Sequence, residues 1–359
     1  MFKSLIKLLL PHSDVKKSKS TSVKISPSKT SHNIDFNDYF IDSIISPEQR
    51  YRDEFYDVLF GAVQPNKEQD ELSIQVAIKV EQILKKPALI LDSLPVLPAS
   101  LSKIVEHLGN DNFDANVVIE LLKNEPMIAA KVIKLANSSF YNRSNKEVTD
   151  IKSAFMQLGS YGLSKGVIDG FLSQLVPQSN LYFQHYGQQI WQHSLATGAV
   201  ARELINHSHC SEQSQQAYLI GLISNLGDIV IYQLMVEAFK YAHPDCLPDS
   251  RLFRQIISCH SKYITYAIAQ NWQLPASILR PLELQTKLKS ADKLALVCGK
   301  YPVSCFIFEA RIISKLQLRM EANSTELEEL KAQALQLVNS EQARSYIQEI
   351  GVASVCEGS

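Results

Sequence analysis

Glu125-Pro-Met-Ile-Ala-Ala-Lys-Val-Ile-Lys-Leu-Ala-Asn-Ser-Ser-Phe-Tyr141 is the stretch on which the reading of the fold turns. Pro126 suits the first turn of a helix, where its missing N–H has no partner to lose. Ile128, Ala129, Val132, Ile133, Leu135 and Ala136 then recur with a period near 3.6, which makes one face of the helix apolar. The run ends at Asn137, a residue able to take left-handed backbone angles while its amide or Ser138 satisfies free backbone groups. Phe140 and Tyr141 can then pack back, so Asn137-Ser138 reads as a structural turn; the alternative is the edge of a ligand pocket. Upstream, Val117, Val118, Leu121 and Leu122 follow Asp114 at the same period, and the two runs together predict a helical hairpin.

Helical patterns continue on both sides. Ser46-Pro47-Glu48-Gln49 combines an N-cap serine, a proline at the first helical position and a capping-box glutamine. It starts a helix to about Phe60 with Tyr51, Phe55, Val58 and Leu59 on one face. Asp70 opens another, whose stripe is Leu72, Val76, Ala77, Val80 and Ile83, closing before Pro87. Near the other end Thr325 and Glu328 form a capping box before Leu327, Leu330, Ala334 and Leu337. Alternating strand patterns with Asn-Gly or Asp-Gly turns are missing, as is any repeat of twenty to fifty residues. The expected fold is all-α: a multi-helix bundle with extra N- and C-terminal helices.

The chain has 359 residues, 45% hydrophobic and 20% charged, which excludes wholly disordered and collagen-like classes and leaves room for about two domains. With 36 Lys plus Arg against 37 Asp plus Glu, there is no global field to draw in nucleic acid. Cys210, Cys246, Cys259, Cys298, Cys305 and Cys356 are widely spaced, so they read as reduced, mostly buried thiols. No uninterrupted apolar stretch approaches the ~18 to 20 residues of a bilayer-spanning helix, and the expected location is cytoplasmic. Residues 1–33, rich in lysine, serine and threonine, read as a basic disordered segment. Within it Phe2, Leu5, Ile6 and Leu9 have helical spacing: a frayed terminus, with weak membrane-surface contact through residues 1–10 as the alternative. A helical N-terminal extension over 34–86, a main domain over 87–284 and a C-terminal helical extension over 285–359 complete the expected organisation.

Chemistry narrows to 191–228. His193 shares an inward helix face with Ile190, Thr197, Val200 and Leu204. Tyr218-Leu-Ile-Gly-Leu-Ile-Ser-Asn-Leu-Gly-Asp228 is an apolar helix interrupted by two glycines, each costing about 1 kcal/mol against alanine, so something must approach that backbone closely. Trp191-x-His193-Ser-Leu with Ala217-Tyr-Leu-x-Gly-Leu-Ile-x-x-Leu-Gly227 resembles the HD metal-dependent phosphohydrolase pattern. That resemblance implies an early histidine, a His-Asp doublet and a distant aspartate as ligands of divalent metal. Here Ser224-Asn225 stands at the doublet, while His193 remains and Asp292 matches the distant aspartate. An alcohol and a neutral amide are poor metal ligands, so the resemblance implies a vestigial pocket of His193, Ser224, Asn225 and Asp292 with no metal, no cofactor and no catalytic residue. Asp228, one turn beyond Asn225, is the one residue placed to compensate.

Leu94-Pro-Val-Leu-Pro98, the hairpin segment 125–141 and Ile151-Lys-Ser-Ala-Phe-Met-Gln-Leu-Gly159 are similar in order and spacing to the HDOD domain, the HD-related output domain of bacterial signalling proteins. Cys259-His-Ser-Lys-Tyr, Trp272-x-Leu-Pro275 and Ile278 resemble its closing helices, with Gln285-Thr286 where members often carry His-His. The resemblance implies a non-catalytic signal-transduction module acting through protein contacts, with a sensor kinase, response regulator or cyclic dinucleotide enzyme as partner. Two alternatives stand beside it. One is a phosphohydrolase of nucleotides or cyclic dinucleotides using His193, Asp228 and Asp292 with Asn225. The other is a non-hydrolytic receptor in which Ser224 and Asn225 donate hydrogen bonds to a small ligand. His207-Ser-His209-Cys210 reads as a solvated loop, and Gly159-Ser-Tyr-Gly162 lacks the strand-to-helix elbow of a nucleophilic serine.

Overall fold

The computed structural model describes residues 46–60, 71–94, 97, 99–108, 114–142, 147–172, 181–242, 251–288, 291–322 and 327–350. Every regular element among them is helical, so the protein is all-α as the periodicities predict. The basic segment 1–33, Asp70, Pro95, Val96, Pro98, Thr325, Cys246, Cys356 and the polar tail lie outside the described residues, as does the side chain of Leu72.

Helix α1 (Pro47–Phe60) starts as its cap predicts: Gln49 N donates to Ser46 Oγ at 3.2 Å, satisfying one of the free N–H groups of a helix start. It buries Tyr51, Phe55, Tyr56, Leu59 and Phe60, but Val58, expected on the same face, is 39% exposed. The aromatic pair Tyr56 and Phe60 draws the buried arc to one flank and leaves Val58 on the other. In α2 (Glu71–Leu84), Val76, Ala77, Val80 and Ile83 are fully buried, and Pro87 opens the short α3 (Pro87–Leu91). Leu94 and Leu97 dock on the core beyond it.

Helices α4 (Ala99–Leu108), α5 (Ala115–Leu122) and α6 (Pro126–Ala136) follow, α5 capped by an Asp114 oxygen that accepts from Asn116 N at 2.9 Å. The close of the hairpin differs from expectation. Asn137 has φ −83° and ψ 0°, so no left-handed cap forms. Its side chain closes the turn instead: Nδ2 donates to Ile133 O and Val148 O at 3.1 and 2.7 Å, and Oδ1 accepts from Val148 N at 2.9 Å. With its amide engaged on both ends, Asn137 is a turn residue with nothing left to orient a ligand. Helix α7 (Ile151–Leu172) is broken at Gly159, where φ 66° and ψ −176° fall in a region open essentially to glycine alone.

The centre is formed by α8 (Leu181–Asn206), α9 (Ser214–Ile223), α10 (Leu226–Ala242) and α11 (Arg251–Asn271). The two glycines of the 218–228 segment mark its crossings. A Cβ on Gly221 would stand 2.9 Å from Thr197 O of α8, and one on Gly227 only 1.9 Å from Ser261 O of α11. One described stretch, Gln216–Phe239, is apolar enough on average to cross a membrane, though Ser224, Asn225 and Asp228 interrupt it; 94% of its most apolar window is buried in the protein. The turn at Ser224–Asn225 divides it into α9 and α10, and it reads as core.

Helix α12 (Ala276–Lys287), a 3-10 turn (Ala291–Lys293), α13 (Leu294–Cys298), α14 (Pro302–Ala322), α15 (Leu327–Leu335) and α16 (Glu341–Glu349) complete the chain. Helix α14 runs through the core with Ile307, Glu309, Ala310, Ile313, Ser314 and Leu316 fully buried. Glu309 accepts from Asn339 N, Ser340 N and Ser340 Oγ at 2.7, 2.8 and 2.6 Å, placing a carboxylate at the start of α16, where the helix dipole favours it. Helix α1 is fastened to α14 by Tyr51 OH, donating to Ile312 O, and by the Glu54–Arg319 pair, and to α11 by Asp57–Arg254. Cys210 and Cys305 are buried, Cys298 is half-buried and Cys259 is exposed; none of these four described cysteines is in a disulfide.

Candidate functional site

The expected pocket lies where α8, α9 and α10 meet α14 and α1. His193 is 3% exposed, with Nδ1 2.9 Å from Ser314 Oγ. Ser314 Oγ is in turn 2.9 Å from Thr197 Oγ1, which donates to His193 O at 2.7 Å. Thr197 spends its one hydroxyl proton on His193 O, while the single hydroxyl proton of Ser314 is within reach of Thr197 Oγ1, His193 Nδ1 and Arg311 O, the last at 3.2 Å. The imidazole is held in its neutral form. Burial first, and the cations Lys315 and Arg311 after it, hold its pKa well below the ordinary histidine value. Nε2 has no partner, and the ring packs on Phe55 with centroids 5.0 Å apart.

Asn225 is fully buried and joins the same network, Nδ2 donating to Thr197 Oγ1 at 3.1 Å. Its Oδ1 takes no partner. Ser224 turns away: Oγ donates to Gly221 O at 2.7 Å, and its carbonyl accepts from Thr265 Oγ1 at 3.3 Å. Thr265 Oγ1 also accepts from Gly227 N at 2.8 Å, tying the α9–α10 turn to α11. Asp228 is buried, with Oδ2 3.5 Å from Arg311 Nη2. Burial raises its pKa, opposed by Arg311 and Lys315. Asp292 belongs to the 3-10 turn, and its side chain is outside the described set. Of the four expected positions, the structure joins His193 and Asn225 through Thr197 and directs Ser224 onto its own helix. His207 and His209 are exposed, as a solvated loop requires, while Cys210 beside them is buried.

An HD-type metal centre does not fit this donor set. A divalent ion needs ionised carboxylates or several imidazoles, but the atoms left without partners here are one imidazole nitrogen and one amide oxygen. The described carboxylate beside them already faces a guanidinium, and Lys315 and Arg311 act on His193 itself, so a dication would sit among cations. Among the described residues no three His, Cys, Asp or Glu side chains converge.

Sequence reasoning did not find Phe55, Ser314, Arg311 or Lys315 as members of the site. The available signal was α14, whose apolar run carries Glu309, Arg311, Ser314 and Lys315 at positions where a helix so thoroughly buried should be apolar.

The described elements form an all-helical domain with a closed polar network about His193. Residues 94–288 match the HDOD domain, more than half of the chain. The chain belongs to the HDOD family. A protein of Treponema pallidum (strain Nichols), itself uncharacterized, is 21% identical over 225 residues, or 62% of this chain. The chain spans 43% of the length of that relative. A crystal structure from Marinobacter aquaeolei VT8, named as a candidate signal transduction protein, is 17% identical with a TM-score of 0.48, covering 85% of this chain and 64% of that one. Another, from Shewanella amazonensis SB2B and named as a candidate metal-dependent phosphohydrolase, is 21% identical with a TM-score of 0.46, covering 79% of this chain and 99% of that one.

Proposed function

We propose that this protein is a non-catalytic signal-transduction module that acts by presenting its helical surface to a regulatory protein partner. The observation that carries the reading is the closed loop of hydrogen bonds from His193 through Ser314 and Thr197 back to His193 O, with Asn225 donating into it. His193 Nδ1 and Asn225 Nδ2 are committed to this loop, which leaves only His193 Nε2 and the neutral Asn225 Oδ1 to face a cation, and Arg311 holds the nearby carboxylate. Activation of water requires a tightly held cation and an ordered second shell around it, and this donor set supplies neither.

A surface for the partner is available at the hairpin end, where Phe140 and Met156 are 74% and 78% exposed. Gln157, beside Met156, donates to Ala136 O and Tyr141 O, which holds that end rigid. Exposed apolar side chains on a rigid support are what a protein contact uses. Affinity capture from native cells with the full chain, compared with the Phe140→Ser/Met156→Ser double variant, tests this. The reading expects one signalling protein to be recovered with the first and lost with the second. Recovery of the same proteins by both would contradict the assigned surface, and turnover of nucleotides or cyclic dinucleotides abolished by His193→Ala would contradict the non-catalytic reading.

A further inference from the structure

We propose that the cavity between α1, α11 and α14 is a binding site for the dianionic phosphate group of a small phosphorylated molecule. The cavity has a volume of about 420 Å³, within the range of small-ligand sites. Four cations from three helices line it: Arg52 of α1, Lys262 of α11, and Arg311 and Lys315 of α14. Glu48 is the one carboxylate among its described lining residues, and an oxygen of that carboxylate accepts from Ala291 N at 3.1 Å. Arg311 Nη2 faces Asp228, and Nη1 is buried with no hydrogen-bond partner among the described residues. A buried guanidinium nitrogen without an acceptor is costly, so Arg311 keeps donor capacity that its ion pair does not use. Tyr263, 51% exposed, stands among the lining residues and offers a ring to the organic part of the ligand.

The lysines report the same deficit of negative charge. Burial first, then Arg311 and Arg52, push the pKa of both Lys262 and Lys315 down to about 7, with Lys315 adding to the repulsion on Lys262. Asp228 opposes this for both, and Asp53 for Lys315. An anion entering the cavity relieves that repulsion and restores the ammonium form. The site differs from the receptor expected from sequence, whose donors Ser224 Oγ and Asn225 Nδ2 are spent inside the protein. It is also independent of the non-catalytic reading, because a phosphate can be held with or without hydrolysis.

The test is titration calorimetry of the full chain with inorganic phosphate and with phenyl phosphate, with released phenol measured in parallel. We expect saturable binding, tighter for phenyl phosphate, weakened about tenfold or more in Lys262→Gln/Lys315→Gln. Replacing half-buried cations by neutral amides is not expected to lower the melting temperature, which separates lost binding from lost folding. On the wild-type chain at pH 8, binding should take up protons, read from the difference between buffers of unlike ionisation enthalpy. No saturation with either probe, no proton uptake, or unchanged affinity in a folded double variant would each overturn the site. Phenol release would leave the phosphate site standing and overturn the non-catalytic reading instead.

Discussion

At Gly159 a Cβ would meet nothing within 4 Å, so the price of Gly159→Ala is conformational. With φ 66° and ψ −176°, that variant should lose about 1–3 kcal/mol in urea unfolding, whereas Ala154→Gly in the regular first half of α7 should lose only about 1 kcal/mol beyond its small packing loss. Lys262 and Lys315 set a pH dependence. Their folded-state pKa lies near 7 and their unfolded value near the ordinary lysine value of 10.5, so between those limits the unfolded chain binds more protons. Stability should therefore fall as pH drops from about 10 to about 7 and level off below 7, where both states carry the protons. Melting temperatures of wild type and Lys262→Gln/Lys315→Gln across pH 6 to 9 check this: the difference between the two should be largest at the acid end and shrink toward pH 9.

At the scale of elements, most of what the chain shows in sequence is what it builds. The caps at Ser46 and Asp114, the stripe of α2 and the close approaches at Gly221 and Gly227 were all legible, because each follows from a local period or a single missing Cβ. Asn137 marked the hairpin end correctly, but its bonds to Val148, eleven residues on, replaced the left-handed cap that local reasoning gives. The docking of α16 was illegible for the same reason: its N-terminus is held by Glu309, more than thirty residues before the helix begins. Glu309→Ala removes the acceptor of Asn339 N, Ser340 N and Ser340 Oγ and leaves part-buried backbone donors unpaired. It should cost about 2 kcal/mol or more, with hydrogen exchange quickening first in the amides of α16. Uniform exchange across the molecule would show that α16 is not separately held.

In the molecule as a whole, the site is assembled partly from helices outside the matched residues. Residues 94–288 supply His193, Asn225, Asp228 and Lys262, while α1 adds Phe55 and Arg52, and α14 adds Arg311, Ser314 and Lys315. Ser224-Asn225 could be singled out in the sequence, but not the network that Asn225 joins through Thr197. In sequence each of the four cations looks like a solvated charge on a helix face, and they converge only once residues 52, 262, 311 and 315 are folded together. Phe55, packed on His193 and 5.2 Å from Lys315 Nζ, joins the two halves of this arrangement. Phe55→Ala should cost about 3–5 kcal/mol and, by admitting water beside the imidazole, bring the His193 titration seen by NMR back toward the ordinary range.

We infer that protein cations and internal hydrogen bonds stand where a divalent metal would otherwise bind. Elemental analysis of the full chain, purified without chelator, incubated with excess manganese and desalted, is the decisive test. Manganese should stay far below one equivalent, unchanged by His193→Ala. One tightly held equivalent that disappears in His193→Ala would contradict it.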